Sequence, residues 1–150
     1  MKKQLLLNTE VKTGIKPQND DGSAAIAGPI FNRTNFLSAI LHGAVGDVTG
    51  TPTGLDATFT VYHGDTVNDE EIPTSITDEE ATGFVLTLAD VQSGNAEDFV
   101  NINLEGLKKW IRVDAELTFT EGTSPAADVS SSLVLGDPRY TENVTSANNE

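Results

Sequence analysis

The sequence predicts an all-β chain, an antiparallel β-sandwich for which a jelly roll is one arrangement, and three observations lead to it. Short runs alternate apolar and polar residues with a period of two, most clearly over residues 109–119. Turns rich in Gly and Pro separate these runs. No stretch carries the spacing of a convincing amphipathic helix. With 150 residues, 37% of them hydrophobic, the chain is sized for one domain around a single core. Three segments are expected: an extended N-terminal arm over residues 1–25, a sandwich over 26–139 and a flexible tail over 140–150.

The arm is mixed in character and contains the turn signal Asn19-Asp20-Asp21-Gly22. Gly28-Pro29 is a breaker, and one short strand is expected near 26–30. Residues 35–43 have the length of a strand, and their Phe and Ile content favours β over one or two helical turns. A Gly, Thr and Pro loop follows over 43–54. In 56–63, Ala57, Phe59 and Val61 share one face while Asp56, Thr58, Thr60 and Tyr62 share the other, as in a half-buried strand. Residues 64–83 read as a long acidic loop, either a functional insertion or mobile. Two more strands are expected over 84–88 and 99–104, the second burying Val100, Ile102 and Leu104. In 109–119, Ile111, Val113, Ala115, Leu117 and Phe119 alternate with Trp110, Arg112, Asp114, Glu116 and Thr118, the pattern of a strand with one wet face. A turn over 122–128 leads to a last strand over 130–135. The final residues are polar and aperiodic.

Composition excludes several function classes. A formal charge of −14 argues against a nucleic-acid partner, which would require clustered Lys and Arg. No apolar run approaches the roughly 20 residues that cross a bilayer as a helix, so no membrane partner is expected. The apolar run Leu5-Leu6-Leu7 is too short for a signal peptide. Without cysteine, disulfides and thiolate zinc sites are unavailable. The charge is uneven: residues 34–107 contain thirteen acidic side chains and no Lys or Arg, whereas residues 1–33 contain five basic and three acidic ones. An acidic body with a less acidic arm suits a protein that docks by one end.

Chemistry finds little foothold. His42 and His63 are the only histidines, and His63-Gly64-Asp65 is better read as a strand-end hydrogen-bonding site than as part of a metal centre, which needs three or more ligands. The runs Asp69-Glu70-Glu71 and Asp78-Glu79-Glu80 lack the alternating spacing of a calcium loop. No Gly-x-Ser-x-Gly elbow is present. Paired carboxylates could serve a glycosidase, but a carbohydrate cleft needs exposed aromatics, for which only Trp110, Tyr62 and Tyr140 are candidates. The expectation is a non-enzyme with no cofactor and no metal. Trp110 beside Arg112 is the most suggestive surface pair, because both types concentrate at interface hot spots; the competing reading covers Trp110 with a loop of its own domain.

Gly106-Leu107-Lys108-Lys109-Trp110-Ile111-Arg112-Val113, followed by Leu133-Val134-Leu135-Gly136-Asp137-Pro138-Arg139, resembles a group of small tailed-bacteriophage structural proteins. In that family a Gly-x-Lys-Arg-aromatic-Val/Ile-Arg-Val strand leads through a polar loop to a last apolar strand ending near Gly-x-Pro-Arg. The chain departs from it in reading Lys108-Lys109, shifted slightly from the glycine, and lysine does not reproduce a bidentate arginine contact. The resemblance implies a capsid decoration (cement) protein, made in the bacterial host cytoplasm and placed on the outer capsid surface of the virion. Its implied partners are the phage major capsid protein and itself, as a homotrimer. On that reading Lys2, Lys3, Lys12, Lys16 and Arg33 make arm contacts, while Trp110 and Arg112 lie at a subunit interface. A neck, tail or fibre-associated virion protein and a carbohydrate-binding module on the virion are the alternatives.

Overall fold

The computed structural model describes residues 9–138; Lys2, Lys3, Arg139 and the expected tail over 140–150 lie outside the described residues. Strands follow in the order β1 (Glu10–Asp20), β2 (Ile26–Ala27), β3 (Phe31–Asn32), β4 (Phe36–Thr49), β5 (Gly54–Gly64), β6 (Glu80–Leu88), β7 (Ala96–Asn103), β8 (Trp110–Thr120) and β9 (Ala126–Pro138). They form two antiparallel sheets, one ordered β1-β9-β4-β7 and the other β2-β8-β5-β6, with β3 also paired to β8. Taking β2 and β3 as one interrupted strand along β8, only the β5–β6 link stays within a sheet. Every other link crosses between the sheets, which is the winding of an eight-stranded jelly roll.

Alternation along each strand builds the core. Leu41 and Val45 of β4, Ile102 of β7 and Leu133 and Leu135 of β9 point inward from the first sheet. Leu55, Phe59 and Val61 of β5 with Ile111 and Val113 of β8 meet them from the second, all at most 2% exposed. Each such side chain contributes roughly 1.5–3 kcal/mol by leaving water. Gly43 sits inward on β4 where a Cβ would come 2.6 Å from Phe59 Cε2. Its missing side chain therefore makes room for the largest fully buried residue of the core.

The N-terminal region departs from expectation. The stretch read as an arm over 1–25 is, from Glu10 to Asp20, an 11-residue edge strand paired along β9. The sandwich therefore begins by residue 10 and not at residue 26. A register shift between Thr13 and Ile15 conceals this in the sequence: Val11 pairs with Val134 on the outer face, yet Ile15, four residues along but only three register positions later opposite Ser131, is buried. At the shift, the buried Ser131 Oγ accepts the Ile15 N–H at 2.8 Å, so neither polar group is orphaned in the core. Strand β4 likewise runs well past residue 43 into the expected loop. The expected strand over 26–30 is two two-residue pieces, β2 and β3, on either side of Gly28-Pro29.

Candidate docking surfaces

The basic residues of 108–112 are drawn inward to the acidic loop over 65–79. Lys108 is held at three atoms: its N–H donates to His63 Nδ1 at 3.1 Å, its carbonyl accepts Arg33 Nε–H at 2.9 Å, and its Nζ lies 2.8 Å from Glu80 Oε1. Because His63 Nδ1 accepts, its proton sits on Nε2, which faces Glu80 Oε1 at 3.2 Å. Lys109 Nζ reaches Glu70 at 3.0 Å and lies 4.9 Å from the Trp110 ring centroid. Arg112 forks onto Asp114, with Nε–Oδ1 at 2.7 Å and Nη2–Oδ2 at 2.9 Å, and also reaches Glu79 at 2.9 Å.

The loop is thus ordered, closed by a β-bridge between Val67 and Ile76 and by the Asp78 carboxylate, which accepts the N–H groups of Asp65 and Thr66 at 3.0 and 2.9 Å. Those backbone donors hold the Asp78 carboxyl well below the usual aspartate range. The Lys108 ammonium lowers Glu80, and Glu80 in turn raises Lys108. Ile76 stands directly against Gly64, where any side chain would be, and Gly64 pairs in register with Trp110. The loop folds over this end of the second sheet, leaving Ile76 and Trp110 each 6% exposed, a satellite outside the main core cluster.

A different surface stays open. On the outer face of the first sheet the aligned rows read Val11-Val134-Ile40-Asn101, then Thr13-Ser132-His42-Phe99, with Ser130-Ala44-Glu97 and Gly136-Ser38-Asn103 on either side. Val11, Ile40 and Phe99 are 67%, 40% and 59% exposed. Glu97 is the one carboxylate in these rows, and His42 Nε2 lies 3.0 Å from it. The outer face of the second sheet, by contrast, presents Asp56, Arg112, Asp114 and Glu116. A protein of formal charge −14 therefore has one broad face that is nearly uncharged and partly apolar.

The residues singled out from sequence are dispersed across the molecule. Trp110 is 6% exposed, at the end of the second sheet over which the loop folds. Arg112 is engaged by its two carboxylates, and Arg33 is 5% exposed, buried against Lys108. Lys12 pairs with Glu10 on β1, and Lys16 is exposed on the same strand. Among the described residues no group of three or more His, Asp and Glu converges as a metal site. The uncharged face escaped sequence reading because its members come from four strands distant in sequence. The pairing of 108–112 with the acidic loop did have a signal: these are the first basic residues after the long acidic stretch.

No protein-family model and no curated protein matches the chain. Among solved structures it is similar to the SPBc2 prophage-derived protein YomS, at 15% identity and a TM-score of 0.42 over 87% of this chain and 94% of that one. It is also similar to a chain of the infectious bursal disease virus VP2 subviral particle, at 13% identity and 0.48, covering 87% of this chain and 32% of that one. Tripeptidyl peptidase 2 aligns at 8% identity and 0.50, over 89% of this chain and 11% of the peptidase. At such identities a likeness speaks to fold alone, and the two-sheet β architecture is what is shared.

Proposed function

We propose that this chain is a non-enzymatic virion structural protein that decorates the outside of an assembled phage capsid, and that it docks through the outer face of its β1-β9-β4-β7 sheet. The observation that carries this reading is the nearly uncharged, partly apolar face on a strongly acidic body. Elsewhere the carboxylates keep free subunits apart, whereas this face meets another protein with little like-charge penalty. The phage resemblance of 106–113 and 133–139 supports the choice of partner, the major capsid protein. Each bound copy bridging neighbouring capsid subunits stabilises the shell, since it binds the assembled state better than the dispersed one. As a homotrimer it would gain effective concentration at every site after the first. Lys2, Lys3, Lys12 and Lys16, along or preceding the β1 edge of that face, would add contacts; Arg112 and Arg33 are engaged by Asp114, Glu79 and the Lys108 carbonyl, and Trp110 is buried.

The test is the copy number and position of the protein in purified particles, by mass spectrometry with a cryo-EM map. Hundreds of copies on the shell exterior, with the first sheet facing the capsid, is the expected result. A dozen or fewer at one vertex would assign it to the neck or tail, and absence from particles would refute a virion role. Phe99→Asp should abolish decoration by the purified protein while leaving its far-UV spectrum unchanged.

A further inference from the structure

Each sheet has two edges, and three of the four are broken in ways that hinder the addition of another strand. Strand β1 carries two register shifts together with Pro17, Lys12 and Lys16. Along β8 the edge is interrupted at Gly28-Pro29. Strand β6 has a register shift opposite Val61, with Gly83 at a positive φ inside it. The edge of β7 lacks all of these: Ala96–Asn103 pairs with β4 in unbroken register and contains no Gly, Pro or Lys. The Leu104 N–H donates to the Leu37 carbonyl at 2.9 Å, which sets the phase of that pairing. Even-numbered residues bond to β4, and the backbone N–H and C=O groups of Glu97, Phe99, Asn101 and Asn103 point away from it. Among the described residues no strand lies on that side. We infer that the β7 edge is a self-pairing site for a second copy of this chain, and that Asp98 holds it closed.

The occupant follows from the symmetry of the free groups. Two β7 strands set antiparallel about a two-fold axis at Val100 bring Glu97 opposite Asn103 and Phe99 opposite Asn101. Every edge-facing N–H and C=O group then pairs, and the two four-stranded sheets join into one. On the inner face the same register sets Val100 against its own equivalent and Asp98 against Ile102 of the second copy, a non-hydrogen-bonded pair with Cα atoms about 4.5 Å apart. Asp98 opposes this in two ways. Its register position, opposite Gly43, is an inward one, yet the side chain is exposed, and its Oδ1 accepts the Phe99 N–H at 2.8 Å, one of the donors that pairing requires. Pairing would also close its carboxylate against an apolar side chain with no cation beside it, and the desolvation of an unpaired ion outweighs an ordinary backbone hydrogen bond. An inward-pointing charge on an edge strand is a known guard against such pairing. The inference concerns the free chain and stands whether or not the protein belongs to a virion.

The test compares masses by sedimentation velocity in about 0.2 M NaCl, which screens the net charge. The Asp98→Val chain should sediment at twice the mass of the parent chain or more, and return to the parent's mass on dilution. In the associated sample, amide exchange at Phe99 and Asn101 should slow by about tenfold or more. Adding Asn101→Pro, which removes an edge-facing N–H and leaves the bonds to β4 intact, should restore the parent's mass. An Asp98→Val chain that keeps the parent's mass would overturn the inference. So would association that survives Asn101→Pro or leaves the Phe99 and Asn101 amides unprotected, which would assign the contact to another surface. Insolubility of the Asp98→Val chain supports pairing where Asn101→Pro restores solubility, and overturns the inference where it does not.

Discussion

At the scale of single residues, Asp78 and Gly43 show opposite ways in which one side chain decides a local structure. Asp78 closes the acidic loop by accepting two backbone N–H groups, and these depress its carboxyl below the usual 3.8. A carboxyl depressed in the folded state contributes stability that is fully present above its unfolded value and is lost as pH falls through the folded one. The loop should therefore stay closed from neutrality down to about pH 4 and loosen only at lower pH. Carbon-detected titration of Asp78, with hydrogen exchange at the Thr66 amide, checks this; exchange that accelerates already near pH 5 would contradict it. Gly43 acts by absence, since Phe59 occupies the space of its side chain. Gly43→Val should cost about 1–3 kcal/mol through overpacking, measured by urea denaturation.

Among the elements, the loop over 65–79 and the start of β8 behave as one unit. Trp110 is the only tryptophan, and it is buried with Ile76 outside the main core. Ile76→Asp should therefore shift Trp110 emission to the red while the main cooperative transition of the sandwich survives with a smaller loss, on the order of 1–3 kcal/mol. A shift accompanied by collapse of the whole fold would mean that the loop is part of the core. The legibility of each element follows from how regular it is. Strand β8 was readable because Ile111, Val113, Ala115 and Leu117 alternate without interruption and all are buried. Strand β5 was readable for the same reason. Strand β1 was not, because its register shift puts Val11 outward and Ile15 inward, and its lysines and glycine imitate a solvated arm. Strand β4 was read too short because Gly43 and Gly46 look like breakers, although Gly43 is a packing position. Trp110 occupies an outward register position, and alternation alone carries no information about the loop that covers it.

For the molecule as a whole, the distribution of charge decides what kind of binding is available. Repulsion within a body of formal charge −14 outweighs a few exposed ion pairs. Raising NaCl from low concentration to about 0.2 M, where the Debye length falls below roughly 10 Å, should therefore raise the melting temperature of the free protein. A fall would mean that the ion pairs of Lys108 with Glu80 and of Arg112 with Asp114 and Glu79 dominate. Shell binding separates two contact modes by the same lever. Contacts made by Lys2, Lys3 and Lys16 with an acidic capsid would weaken steeply with salt. Contacts made by Phe99, Ile40 and Val134 gain from apolar burial, and they bring few charges whose attraction salt could screen. If the sheet face carries the affinity, the dissociation constant for shells should change by less than about threefold between 0.1 and 0.5 M NaCl, while Phe99→Asp abolishes binding at both concentrations. A tenfold or larger loss of affinity over that range, with Phe99→Asp tolerated, would transfer the binding energy from the face to the lysines of the N-terminal region.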